Sequence, residues 1–377
     1  MPSLEILKEL QDLNLADDVE IPPEAVHWTE EEANSYFESG GAEVPAPRAP
    51  AAASSATGAA PAAATSRTIL RWVVDTSAWA PMAAEWAFLL TLVTDEEREK
   101  TMRFKFEADQ KRALLSRLLQ RAACHEAYGT PHAAAVIKRT KGGKPYLAER
   151  PAVLADAPNW NFNVSHEGDY VVLAAEPLLL CGIDVAAPSV ARSKSGKPRD
   201  LEEHFDTLRN YFTALEWRTI RACGPSDDGL EACFRQHWSL KEAFTKARGD
   251  GIAFEFSRIE FTLAGADDGA AAGGAAGGGP RLYTRASVAV DGMPQPKWRF
   301  DIQPLKAGHW VSVARGPPLD AIDGWGGFAA TFCAPQPAAA LVAEHMQRSE
   351  PRLQPKVVAE LVPQERREEH REAAAKR

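Results

Sequence analysis

Apolar residues recur at helical spacing over residues 107–128. Leu114, Leu115, Leu118 and Leu119 share a face, and Gly129, Thr130 and Pro131 form a stop behind them. This pattern predicts a long helix. Elsewhere the apolar positions come as short continuous runs. Residues 68–74, 161–164, 170–175 and 178–185 read as strands, with a turn at Glu167, Gly168 and Asp169. Helical spacing returns over about 200–223 and again over 231–247, the latter closed by Gly249. Further strands are expected at 287–290, 297–302 and 310–314. The order of strand, helix, strand pair, strand, helices and strands predicts an α+β fold of two tandem subdomains, each a long helix against an antiparallel sheet. No sequence repeat relates the two units, so a pseudo-twofold relation between them would be structural only.

Outside these runs the polar positions divide the chain. Residues 1–44 are acidic, with Leu4, Leu7 and Leu10 able to line one helix face. Residues 45–67 are rich in Ala, Pro and Ser, too poor in large apolar side chains to pack a core, and read as a linker. The folded body is 68–316, split as 68–180 and 181–316, with the Gly/Ala-rich run 265–279 as a mobile surface insertion. Residues 317–377 read as a tail, Ala/Pro-rich and then charged, forming a solvated helix or disordered. A formal charge of -9 argues against general affinity for nucleic acid or anionic membrane, so any phosphate must be met by a local basic site. Five scattered cysteines without a CxxC pair read as reduced thiols, neither a disulfide frame nor a zinc site. With no apolar signal core and no membrane-length apolar stretch, the expected compartment is the cytosol.

Four polar constellations stand out against this background. In the run from Trp238 to Lys246, Glu242 and Lys246 lie one helical turn apart, while Trp238, Leu240 and Phe244 can anchor other faces. They are either an exposed pair worth about 0.2–0.5 kcal/mol or a functional pair aimed by those anchors. Asp184 follows Cys181, Gly182 and Ile183 near the end of an apolar strand. It is a turn or cap aspartate, or a hard oxygen ligand for Mg²⁺. Ser165 and His166 adjoin within Asn161–Tyr170. No GxSxG elbow surrounds the serine, and strand neighbours point to opposite faces, which discounts a hydrolase. Core packing of His166, or hydrogen bonding to phosphate, remains. Lys138, Arg139, Lys141 and Lys144, interleaved with Thr140, Gly142 and Gly143, make either a solvated loop or the local positive site. The Walker A spacing is absent.

Taken in order, these motifs closely resemble the phosphopantetheinyl transferases of the Sfp-like branch, nearest to the eukaryotic aminoadipate-semialdehyde dehydrogenase phosphopantetheinyl transferase type. The resemblance is carried by Trp79 with Glu85 and Trp86, by Arg103, Phe104, Asp109, Arg117 and Arg121, by 139–145, by 162–170, by Gly182 to Asp184, by Phe212, Glu216 and Trp217, and by 238–246. It covers about 68–316. It implies a monomeric fold of two similar α+β halves with coenzyme A between them. It also implies transfer of the phosphopantetheine arm to a serine of an apo acyl- or peptidyl-carrier domain, with release of adenosine 3′,5′-bisphosphate. Asp184 and Glu242 match the metal-binding positions, and with Lys246 would form the catalytic group. Arg139, Thr140, Lys141, Gly142, Gly143 and Lys144, with Asn163, Val164, Ser165 and His166, would hold the phosphates and adenosine. Lys246 would contact coenzyme A too, and Lys100 matches a position carrying a coenzyme-binding arginine. Many members place a third acid two residues after the Asp; here it is Ala186, so water or Glu167 would complete the shell. The alternative is a catalytically silent coenzyme A-binding or carrier-docking protein.

Overall fold

In the computed structural model the described residues build two large sheets, each set against a 22-residue helix, and a separate two-stranded hairpin. The structure describes residues 67–150, 154–188, 200–250, 254–265, 283–321, 327–334 and 336–376. The expectations for 1–44 and 45–66, and for the Gly/Ala-rich run from 266 onward, lie outside the described residues.

The first half opens on β1 (Leu70–Asp75), followed by α1 (Ala83–Leu90), α2 (Asp95–Arg103) and α3 (Glu107–Tyr128). A hairpin of β2 (Ile137–Arg139) and β3 (Pro145–Leu147) leads to β4 (Asn161–Glu167) and β5 (Tyr170–Glu176). β5 pairs antiparallel with both β1 and β4. The predicted long helix is α3, and Gly129 closes it in the left-handed conformation, φ 68°. α2 was not foreseen: only Thr101 on it is buried, and it is held instead by a Thr94–Glu97 capping box and acidic first-turn residues.

The second half contains β6 (Leu180–Ala186), α4 (Leu201–Thr207), α5 (Ala214–Ala222) and α6 (Asp227–Arg248). Then come β7 (Ile259–Gly265), β8 (Tyr283–Val290), β9 (Met293–Pro294), β10 (Arg299–Pro304) and β11 (Trp310–Gly316). The sheet order is β6-β11-β10-β8-β7, antiparallel throughout, with β9 on β8. The single helical region expected at 200–223 is two helices, because Thr213 starts α5 with its own capping box to Glu216.

Each half has its own core. Leu114, Leu115, Leu118 and Leu119 pack with Phe162 and Val164 in the first, and Phe234, Trp238 and Phe244 with Phe261 and Phe300 in the second. A third cluster lies between the sheets, where Val73, Val172 and Ala174 meet Cys181, Ile183, Val185, Val311 and Val313. β5, β6 and β11 are therefore buried along their whole length, which is why they read as mainly apolar runs.

The stretch beyond 316 corrects the expectation of a solvated tail. Phe328 and Phe332 enter the second core, while Val358, Leu361 and Val362 enter the first. Between them run α7 (Ala339–Gln347) and β12 (Gln354–Pro355), the latter parallel to β1; α8 (Arg367–Ala375) follows and packs on α1. Glu350 bridges the halves, pairing with Arg71 of β1 and, at 3.1 Å, with Arg315 of β11. These apolar anchors, Phe328 with Phe332 and Val358 with Leu361 and Val362, each span a single turn, too short a run to announce an element by periodicity. Among the described residues no helix is long and apolar enough to cross a membrane.

Candidate active site

α6 lies directly on β6 because position 182 is glycine. A Cβ there would stand 2.0 Å from the Ala243 carbonyl oxygen and 2.6 Å from the Ala247 nitrogen. With the backbones that close, Asp184 on β6 meets Glu242 and Lys246, one turn apart on α6. Lys246 Nζ is 2.9 Å from Asp184 Oδ1 and 3.9 Å from Glu242 Oε2. Ser165 of β4 joins them: its Oγ donates to Asp184 Oδ1 at 2.7 Å and accepts from Lys246 Nζ at 3.1 Å. The structure thus brings the three expected catalytic residues and Ser165 into one group. Asp184 and Glu242 are 5 % and 7 % exposed, so neither is a solvated surface acid. Burial pushes the Asp184 carboxyl above its ordinary range, Lys246 and the Ser165 hydroxyl oppose that, and Glu167 adds to it.

β4 and β6 are the edges of their sheets, and polar side chains join them. Asn161 Oδ1 accepts from the Cys181 N–H at 3.1 Å, Asn163 Oδ1 from Ile183 at 2.9 Å, and Glu167 Oε2 from Ala187 at 2.6 Å. Every second residue of β4 therefore satisfies the exposed edge of β6, and at Ser165 the same row turns to Asp184 instead. Asn163, expected at the coenzyme, is a buried seam residue. Val164 faces the other way into the first core, with half-buried His166 on the same alternation.

The basic loop is the β2–β3 turn. Thr140 N–H donates to the Lys144 carbonyl at 2.9 Å and Gly143 N–H to the Thr140 carbonyl at 2.9 Å; Arg139 Nη1 reaches the Gly143 carbonyl at 2.8 Å. A Cβ on Gly142 would lie 1.9 Å from the Gly249 oxygen, so the tip rests on the end of α6. Lys138, Arg139 and Lys141 are exposed, whereas Lys144 turns inward onto the carbonyls of Cys181 and Lys246. Lys100 pairs with Glu96 at 3.1 Å, a contact local to α2.

Two buried carboxylates and a hydroxyl are hard oxygen donors, and the pair fits Mg²⁺, which takes one or two carboxylates plus phosphate oxygens and water. Among the described residues no group of three His, Cys, Asp or Glu is arranged to hold a metal, and Ala186 is buried without offering a ligand. Glu167 lies close enough to press on Asp184, yet one of its oxygens is engaged by Ala187.

Sequence reasoning passed over Lys241, next to Glu242. Its ammonium is fully buried, 2.8 Å from Glu216 Oε2, and donates to the carbonyls of Phe256, at 2.8 Å, and Ile259. A lysine between Leu240 and Ala243 on an apolar helix face was the available signal.

Comparison with known proteins places the chain in a family. The model for the 4'-phosphopantetheinyl transferase N-terminal domain matches residues 77–178, and that for the 4'-phosphopantetheinyl transferase superfamily matches 181–283. The L-aminoadipate-semialdehyde dehydrogenase-phosphopantetheinyl transferase of Rattus norvegicus is 36% identical over 251 residues, 66% of this chain and 75% of the relative. A phosphopantetheinyl transferase of Thraustochytrium sp. is 37% identical over 247 residues, 64% of this chain and 77% of the relative. The 4'-phosphopantetheinyl transferase of Bacillus subtilis is 30% identical over 187 residues, covering 50% and 73%. With two adjoining family models and relatives matched over most of their length, the chain belongs to the 4'-phosphopantetheinyl transferase superfamily.

Proposed function

We propose that this protein transfers the 4'-phosphopantetheine arm of coenzyme A to a serine hydroxyl of an apo acyl- or peptidyl-carrier protein, releasing adenosine 3′,5′-bisphosphate in an Mg²⁺-dependent reaction. The observation that carries this reading is the convergence of Asp184, Glu242, Lys246 and Ser165 where β4, β6 and α6 meet. A new bond forms between the carrier serine oxygen and the β-phosphorus, and the bond from that phosphorus to the oxygen bridging the α-phosphorus breaks. Negative charge gathers on the pyrophosphate oxygens as this happens. Mg²⁺ held by Asp184 and Glu242 would supply charge stabilisation there.

The chain's own residues do the rest. Lys246 brings a cation to the same point, and its bond to Asp184 sets its direction. Ser165 holds Asp184 from the opposite strand. Glu242, directly or through a water it orients, takes the proton of the carrier serine. The exposed Arg139 and Lys141 on the hairpin meet the nucleotide phosphates.

The direct test incubates the protein with coenzyme A, Mg²⁺ and a panel of apo-carriers and reads intact masses. One phosphopantetheine added per carrier, lost when Mg²⁺ is chelated, is the expected result. Failure to modify every carrier in the panel would overturn the reading.

A further inference from the structure

Of the four cations on the β2–β3 hairpin, Lys144 behaves unlike the others. It is 2 % exposed, and its ammonium donates to the Cys181 carbonyl of β6 and, at 2.9 Å, to the Lys246 carbonyl of α6. Lys246 lies in the last helical turn, where carbonyls have no intrahelical partner and the helix end is negative. The Phe328 ring, 5.0 Å from Nζ, covers the ammonium and also packs against Gly249. Beside this point the hairpin tip touches the helix end backbone to backbone, at Gly142 and Gly249. Three segments remote in sequence therefore meet on one side chain: the hairpin, the strand carrying Asp184, and the helix carrying Glu242 and Lys246.

We propose that Lys144 is a positioning residue and not a phosphate ligand: its buried ammonium staples the basic hairpin to the β6–α6 pair and so sets the span between Arg139 and Lys141 and the acidic centre. A staple of this kind acts on alignment. The hairpin cations keep their hold on the nucleotide when it is removed, while the pyrophosphate is presented less well to Asp184 and Glu242. Burial also pulls the Lys144 ammonium down to about 7, Lys246 adding to the effect and Cys181 opposing it, which fits a dry pocket already filled by protein.

The kinetic half of the test rests on the transferase reading; the labelling half does not. In the wild-type protein, brief acylation with acetic anhydride is read by mass spectrometry with and without coenzyme A. Lys138 and Lys141 are expected to react, and Lys144 to stay unmodified in both samples. The exposed Lys138 and Lys141 react under the same conditions, so the silence of Lys144 reports burial. Modification of Lys144 in the free protein, whether or not coenzyme A protects it, would overturn the proposal.

In the Lys144→Met variant, kcat is expected to fall about tenfold with KM for coenzyme A within about threefold, and Lys144→Arg to recover part of the loss. A raised KM with unchanged kcat is the signature of a direct ligand and would reject the staple, as would no change in either. Should Lys144→Met not fold, the acylation pattern decides. Wild-type protein that neither binds coenzyme A nor modifies a carrier would sink the transferase reading and leave the labelling result standing.

Discussion

Lys241, Glu242 and Lys246 show how neighbouring residues on one helix can have opposite tasks. Glu242 and Lys246 turn toward Asp184, while Lys241, one position earlier, is sealed against Glu216. Burial pushes Glu216 up and Lys241 down, and their mutual attraction resists both shifts. On the proposed function, removing Asp184 or Glu242 and breaking the buried pair should therefore look different. Asp184→Asn or Glu242→Gln is expected to lower transfer by about 10²–10³-fold with the urea midpoint little changed. Glu216→Gln leaves a buried lysine without its counter-charge and is expected to cost about 3–5 kcal/mol in urea unfolding, with KM for coenzyme A in the folded fraction unchanged. The first group was legible in the sequence because its members sit in short motifs with recognisable neighbours. The fate of Lys144 was not, since its partners lie 37 and 102 positions away.

At the scale of elements the site depends on one strand–helix contact. Gly182 lets α6 rest on β6, and no other side chain fits between the Ala243 carbonyl and the Ala247 amide. Gly182→Ala is expected to separate the two by about 1 Å and cost about 10²-fold in turnover, more than its effect on coenzyme A affinity, as read by steady-state kinetics beside a direct binding measurement. The long helices were legible to within a few residues, since each carries a sustained apolar face and a glycine stop. The ladder from Asn161, Asn163 and Glu167 to the edge of β6 was not. Alternation along β4 shows that these residues share a face, yet only the arrival of a second sheet edge gives that face its partner.

Across the whole molecule the halves are held by the apolar layer between the sheets and by a buried charge network. Glu350 bridges Arg71 and Arg315, and Asp301 lies 3.6 Å from Arg315. Burial first, then the Glu350 charge, raises Asp301 to about 6, with Arg315 and Arg71 opposing. Between about pH 4 and 6 the folded protein thus holds more of this proton than the unfolded chain, so this group's contribution to stability falls as pH rises through that window. Asp301→Asn removes the titration. The variant's urea midpoint is expected to gain on the wild type from pH 4 to 6 and to stay level above it; a difference that is flat with pH would contradict this assignment.

By itself the sequence determined the two long helices, the buried strand runs, the order of the motifs and, through them, the family. These are written in short windows, where periodicity reports burial along one element and a motif keeps its residues adjacent. Only the tertiary structure decided which polar residues face Asp184 and which seal the seam, that Lys144 turns inward, and that the stretch beyond 316 is woven through both cores. A buried polar group must find a hydrogen-bond partner, and a lone apolar residue must find a pocket. Each of those partners comes from a distant part of the chain, so no local pattern records it.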